Sequence, residues 1–455
     1  MISPQTLAAI RFGYGLPLPA GAVVEPVAML RGLQAPDQMA SRFPGVTTAQ
    51  GMALVREFEI ALKARRRSET KATQADVRAA LRDVELTAEQ GARATIARAI
   101  ASPDGLRERL VQFWSDHFTV ARRASQFHTL PSAFADEAIR PNLAGPFAAM
   151  LTAAALHPGM LKYLDQASSV GPGSRAGQRD KRGLNENLAR EILELHTLGV
   201  GAGYDQTDVR EFAELLTGLG VDAEGFRFYP QRAEPGAETV LEQSYGGPGP
   251  ADLAPIRAVL ADLAVRPETA RHISGKLVTH FLSDTPDPAD IAALQSVWLD
   301  SGGDLGAVTG ALLALPAAWS PDRQKIRQPF DLVVAGLRAL GVTPEAVVAM
   351  DVQPFRKLVL MPLASMGQPW QSPRGPDGWP ESAEDWITPQ GLGARLAWAM
   401  TAPAGLVRPL PDPRALVASA LGDAASEALV ISAGRAENRR DGVGLILASP
   451  DFNRR

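Results

Sequence analysis

Apolar residues recur every three to four positions along most of this chain. That spacing is the strongest constraint on its fold, because it matches the 3.6-residue turn of an α-helix and excludes the two-residue alternation of a half-buried strand. The pattern predicts helices over much of 4–12, 48–66, 73–101, 103–120, 131–139, 145–156, 186–198 and 207–217, then in close succession from 252 to 421. Strand signals are few. The clearest is Phe226-Arg-Phe-Tyr229, followed after a turn-rich stretch by Thr239-Val-Leu241, which reads as a short hairpin. Strands and helices do not alternate, so a parallel α/β sheet is not expected. No period of 20–50 residues marks a solenoid. The expected fold is mainly α, a multi-helix globular array with a small β-hairpin insert near 226–241. The chain reads as one unit over 1–455: an N-terminal helical part (1–165), a mobile loop (166–184), and a helical part from 185 to 455.

A chain of 455 residues with 45% hydrophobic and 21% charged residues can bury a large core. Its net charge of −4 argues against bulk attraction to nucleic acid or to an anionic membrane. Cysteine is absent, which excludes disulfides, thiolate zinc sites and cysteine nucleophiles. Met1–Ile10 lacks the basic start and long apolar core of a signal peptide, and Ser3-Pro4 reads as a helix cap followed by proline at the first helical position. No apolar run reaches the ~20 residues a transmembrane helix needs. As written, the sequence predicts a cytoplasmic protein.

Two loops carry unusual composition. Residues 167–183 hold Arg175, Arg179, Lys181 and Arg182, which could close as a lid over an anion or simply form a solvated loop. Gly367–Pro380 carries Trp370 and Trp379, with Trp386 following; such rings either stack on a ligand or pin an irregular loop to the core.

The chemistry-bearing segment is Asn185-Glu-Asn-Leu-Ala-Arg-Glu-Ile-Leu-Glu-Leu-His-Thr-Leu-Gly199. Projected at about 100° per residue, Leu188, Ala189, Ile192, Leu193 and Leu195 form one apolar arc with His196 in its middle. Glu186, Asn187, Arg190, Glu191 and Glu194 fill the other, with Glu191 near its edge. Glu194 and His196 point nearly opposite ways, so a zincin-type ligand pair is excluded. In residues 110–120, Leu110, Phe113, Trp114 and Phe118 form an apolar face that includes His117, with Asp116 on its flank. Two buried histidines need hydrogen-bond partners. Either each fixes helix packing, or His117 and His196 approach one another across an internal pocket, with Glu191 as a third catalytic group. Asn185, Asn187, Arg190 and Asp116 would then position a ligand. His272 and His280, eight residues apart, read as structural, and Asp208 with Glu211 has capping-box spacing. The identity of a metal or other cofactor is not encoded in any of these patterns.

The 185–199 segment resembles the signature of the bacterial "domain of unknown function 1800" family. So do Phe113-Trp-Ser-Asp-His-Phe-Thr-Val120, Lys276-Leu-Val278, Met366-Gly-Gln368, Gly378-Trp379 and Arg11-Phe-Gly13. The resemblance implies a predominantly helical bacterial protein. It further implies export in many relatives, making a periplasmic or exported location the alternative to a cytoplasmic one, and a neighbouring partner from the domain of unknown function 1501 family. Two positions depart from the family pattern: Ala233 stands where a histidine is common, and Asp116 where asparagine is frequent. Two functions follow as expectations. One is a helical scaffold or interaction protein acting with a 1501-type partner. The other is a hydrolase-like or metal-assisted enzyme with an internal His/Glu site.

Overall fold

The computed structural model describes residues 2–19, 21–180 and 183–455. It is a helical array, as the periodicity predicts, with two small antiparallel sheets of two strands each. A chain with 36 prolines stays helical because many of them open helices rather than interrupt them. Ser3-Pro4, Asp287-Pro288, Thr343-Pro344, Thr388-Pro389, Asp412-Pro413 and Ser449-Pro450 each pair a capping side chain with proline at the first turn. The cap satisfies a backbone N–H that the helix leaves over.

The strand segments do not pair with each other. Leu219–Asp222 pairs with Gly225–Phe228, and Gly236–Val240 pairs with Gln243–Gly247. Each runs to its nearest neighbour through a tight turn, the shorter closure. The helix that precedes them, Gln206–Leu215, is capped by a box between Asp205 and Asp208. Glu211 is left to accept a hydrogen bond from the Thr239 backbone at 3.0 Å, which docks strand on helix.

Among the described residues two large hydrophobic cores form, beside a small cluster of Met52, Val55 and Leu130. The larger joins Leu106–His117, Phe147–Leu156, the 187–216 helices, Ala254–Phe281 and Leu294–Ala318; Trp114, Phe118, Phe147 and Trp298 fill its centre. The second gathers Phe330–Ala339, Val359, Trp398 and the C-terminal helices around Ile96 and Ile100 of the long Lys71–Ala101 helix. Between them runs a polar seam. Arg109, Arg327 and Arg395 are almost fully buried there. Arg327 donates to the Phe452 carbonyl, in the last turn of the helix Pro450–Asn453, and Arg395 to the Arg327 carbonyl just ahead of the helix Pro329–Ala339, so the seam consumes backbone acceptors that no helix pairs.

Segment 166–184, expected as a loop, contains the short helix Arg175–Asp180. The Gln166 side-chain amide donates to the Leu216 carbonyl at 2.9 Å, and Gly171 N–H donates to the Arg232 carbonyl at 2.8 Å. Two of the four basic residues proposed for a lid, Lys181 and Arg182, lie outside the described residues. No helix among the described residues is long and apolar enough to cross a membrane.

Candidate functional site

Asn185 starts the signature helix. Its Oδ1 accepts the Asn187 N–H at 2.9 Å, its amide donates to the Leu164 carbonyl at 3.0 Å, and its own N–H donates to Ser169 Oγ at 3.0 Å. Asn187 contributes its backbone N–H there. Arg190 bonds Glu186 at 3.2 Å and Gln206 at 3.0 Å, tying this helix to the next. Asn185 and Arg190 therefore fasten elements together.

The helix is not regular to its end. Asn187–Glu191 is α, but Ile192–Thr197 widens into a π turn, closed by Leu198 N–H to the Leu193 carbonyl at 3.0 Å. Such turns are uncommon and recur at functional sites. Carbonyls of a last turn lack intrahelical partners. Two are taken by histidines: His117 Nε2 reaches the His196 carbonyl, and His272 Nε2 the Leu195 carbonyl, each at 3.2 Å. A carbonyl only accepts, so both histidines carry their proton on Nε2.

His117 and His196 thus meet, with ring centroids 6.0 Å apart, and Phe118 lies 5.0 Å from His196. Both are buried. Burial, reinforced by Lys276 and His272, pushes His196 down to about 3 and holds His117 well below its ordinary value. Neither lines the cavities described below. Glu191 does not join them. It stays half-buried on the opposite arc, pushed up to about 7 by burial and by Glu194 and Asp377. The anticipated grouping of three is a pair of histidines plus a separate carboxyl.

Asp116, the residue before His117, faces the other way. It lines an internal cavity of about 90 Å³ together with Gln112, Ser115, His280, Trp370 and Trp379. Ser115 Oγ and Trp370 Nε1 are buried without a hydrogen-bond partner in the protein, and the cavity has room for water to serve them. Asp116 Oδ1 accepts the Trp379 N–H at 2.9 Å. A Cβ on Gly378 would lie 2.7 Å from that same oxygen, and its φ is +83°, so glycine is required for this approach. Burial pushes Asp116 up to about 8; Lys276 opposes the shift, while Glu381 and Asp377 add to it.

Lys276 belongs to the helix Pro267–Phe281. His272, Lys276 and His280 follow one another at four-residue steps, a stripe drifting only about 40° per step. Considering His272 and His280 without the lysine between them hid that stripe from the sequence reading. Lys276 is mostly buried, and among the described residues it makes no hydrogen bond or ion pair. Burial lowers it, against the pull of Asp116, Glu381 and Asp377. It lines an open cleft of about 590 Å³ with His272, Glu381 and the Gly199–Ala202 turn. Gly199, at φ +94°, allows the turn to pass His272, whose Nδ1 would meet a Cβ at 3.0 Å.

Glu381 ties the cleft to the polar seam. His280 Nδ1 lies 2.5 Å from Glu381 Oε1, and Lys325 Nζ contacts Glu381 Oε2 at 3.3 Å and Asp284 at 2.5 Å. Arg109 donates to His280 Nε2 at 2.9 Å and pairs with Asp331. Because Arg109 only donates, His280 carries its proton on Nδ1 toward Glu381. Burial would raise Glu381, but His280 and Lys325 outweigh it and hold the carboxylate down at about 2. The tryptophans of the 367–386 region turn inward: Trp370 packs 5.6 Å from Phe330, and Trp386 donates to the Pro380 carbonyl at 3.0 Å.

Sequence reasoning missed Lys276, His272, His280 and Glu381, and assigned Asp116 a subordinate role. A signal existed for the first three in their four-residue spacing. Glu381 had none, since it reaches the centre from an irregular loop distant in sequence. Ala233 is elsewhere, buried beside Glu234, whose carboxylate accepts the Gly173 N–H at 2.8 Å. It borders a different cleft that also takes Arg175.

Segments carrying the resemblance therefore converge. The Phe113–Val120 stretch supplies Asp116 and His117, the 185–199 stretch supplies His196 and its carbonyls, and Lys276 and Gly378-Trp379 complete the centre. Neither curated proteins nor solved structures yield a match to this chain. The family model described as "Protein of unknown function (DUF1800)" matches residues 11–454, and the chain belongs to that family.

Proposed function

We propose that this protein is an enzyme acting through the centre around Lys276, where a small polar molecule enters by the cleft at the Gly199–Ala202 turn. One observation carries this reading. A mostly buried ammonium lines an open cleft and has neither a hydrogen bond nor an ion pair among the described residues. Buried charges are paired or they destabilise the fold, so an unpaired one marks the place where a ligand completes the set.

The chemistry is acid–base. Desolvation moves Lys276, in the cleft, toward its neutral amine, a base, while Asp116, in the separate 90 Å³ cavity that the His280–Glu381 contact borders, keeps its proton up to about pH 8 and is an acid. Two groups displaced in opposite senses are what proton transfer near neutrality requires. Glu381, His280 and Lys325 hold the cleft wall in place. The enzyme reading thus rests on Asp116 and Lys276, with the histidine pair behind them as support.

A second reading keeps the protein as a helical scaffold acting with a partner of the domain of unknown function 1501 family. The contact of His117 with the His196 carbonyl favours it, since that contact joins two helices and touches no cleft. Substituting Lys276→Met separates the two. As a ligand-facing group, Lys276 destabilises the unliganded fold, and its removal raises stability to chemical denaturation by about 1 kcal/mol. A loss of more than about 1 kcal/mol in the same measurement assigns Lys276 to helix locking and supports the scaffold.

A further inference from the structure

The helix Pro267–Phe281 turns one stripe toward the Lys276 cleft. Glu268, Arg271, His272, Gly275, Lys276 and Thr279 recur at three- and four-residue steps, and all of them line it. Glycine inside a helix is less stable than alanine, because it gives up more backbone freedom on folding. Close packing is the usual reason for one there. Gly336 and Gly444, each inside its own helix, have that reason: an added Cβ would collide with the Trp398 ring and with the Met400 sulfur. At Gly275 a Cβ would meet only Ile291 Cδ1, at an ordinary 3.9 Å. The protein packs nothing over it, so the missing side chain leaves a flat, half-buried floor in the cleft.

The cations on either side of that floor are uncompensated. Arg271, one turn before Gly275, makes no hydrogen bond or ion pair among the described residues, and neither does Lys276 just after it. The acids of the cleft are already taken: Glu268 pairs with Arg266 at 3.5 Å, and Glu381 with His280 and Lys325. The Gly199–Ala202 turn adds the N–H groups of Gly199, Val200 and Gly201, which find no acceptor among the described residues. Successive free N–H groups of this kind favour an anion.

We propose that the molecule entering this cleft is a small monocarboxylate, seated over Gly275 with its carboxylate on Arg271 and its other end at Lys276. This rests on the enzyme reading of Lys276 and names the substrate class for it. A guanidinium fork meets a planar carboxylate with two parallel hydrogen bonds. Arg271 therefore anchors the substrate and leaves Lys276 free for the reacting end. Glu381, a lining carboxylate held ionised by His280 and Lys325, repels a dianion twice as strongly as a monoanion, which favours a carboxylate over a phosphate ester.

Saturation-transfer NMR on the full chain tests this with butyrate and its neutral isostere butyramide. The wild type is expected to bind butyrate saturably and to prefer it by about tenfold, the worth of one charge-assisted pair. Arg271→Gln should erase that preference. Gly275→Ala puts a methyl on the floor and should weaken butyrate by about tenfold while the melting temperature holds or rises. A glycine serving structure alone would give no such split. Equal binding of acid and amide overturns the carboxylate and leaves the Lys276 reading standing. So does a preference that survives Arg271→Gln, or a Gly275→Ala protein that binds as the wild type does. Inorganic phosphate displacing butyrate at lower concentration than butyrate itself needs would assign the phosphoryl class and overturn it too. Binding of neither molecule also overturns the proposal; the enzyme reading falls with it only if Lys276→Met is the less stable protein.

Discussion

Asp116 and His117 are adjacent in the chain and opposite in circumstance. His117 turns into packed aromatic rings and donates to a helix-end carbonyl, while Asp116 turns into a polar cavity and takes an N–H from the tryptophan loop. One helical step of about 100° separates a contact that joins helices from one that borders solvent-sized space. A residue in a recognisable motif is therefore not by that fact a catalytic one. The histidine half joins two helices through a hydrogen bond, and the Asp116–Lys276 half is where the proposed function places the chemistry.

The comparison is sharpest at Glu381, which anchors the cleft of the Lys276 half to the buried seam. Glu381→Gln leaves Lys325 and Arg109 buried with reduced compensation, and breaking such a set costs about 3–5 kcal/mol. Urea unfolding measures this; a loss below about 1 kcal/mol would mean that the network is solvated and carries little.

On the histidine half, His117→Ala removes a buried ring and its hydrogen bond, with an expected loss of about 2–4 kcal/mol by denaturant titration. The same half gives a pH signature. The folded-state value for His196 is about 3 against 6.5 unfolded, so the unfolded chain binds the proton first as pH falls. Stability present above pH 6.5 is lost on acidification toward pH 3, by roughly 1.4 kcal/mol per unit for that one group. His196→Gln should flatten this slope; an unchanged slope would place the acid sensitivity elsewhere, with Glu381 the leading candidate below pH 4.5.

Asp116 gives the opposite sign. Its folded-state value is raised from 3.8 to about 8, so the folded protein holds the proton more tightly. This contribution is fully favourable below pH 3.8 and is lost as pH rises toward 8. Asp116→Asn removes the titration, and the variant should gain on the wild type by about 1–3 kcal/mol between pH 5 and pH 8. A difference independent of pH would show Asp116 to be ionised throughout.

The helical class was legible because periodicity integrates over many turns, and caps such as Ser3-Pro4 and Asp412-Pro413 are local. Strand partners were not, because Phe226–Tyr229 and Thr239–Leu241 each have a nearer neighbour whose glycine-rich sequence disguises it as turn. The proximity of His117 and His196 was readable from two apolar arcs that each held one polar ring. The separation of Glu191 was not foreseen, because its position near the edge of the polar arc grouped it with the histidines. The π turn at Ile192–Thr197 was not, because a regular wheel assumes α geometry throughout. Lys276 was visible as part of a motif but not as a site, since its isolation depends on what surrounds it in space.

That isolation is the central claim, and competitive acetylation with trace acetic anhydride tests it most directly. Across pH 7 to 11, the Lys276 peptide is compared by mass spectrometry with exposed Lys63, Lys71 and Lys357, and with Lys325, which is buried and paired. The account predicts that Lys276 reacts from the cleft with a titration midpoint below the ordinary 10.5 and exceeds the surface lysines near neutral pH. A Lys276 as unreactive as Lys325, or one titrating at or above 10.5, would contradict it.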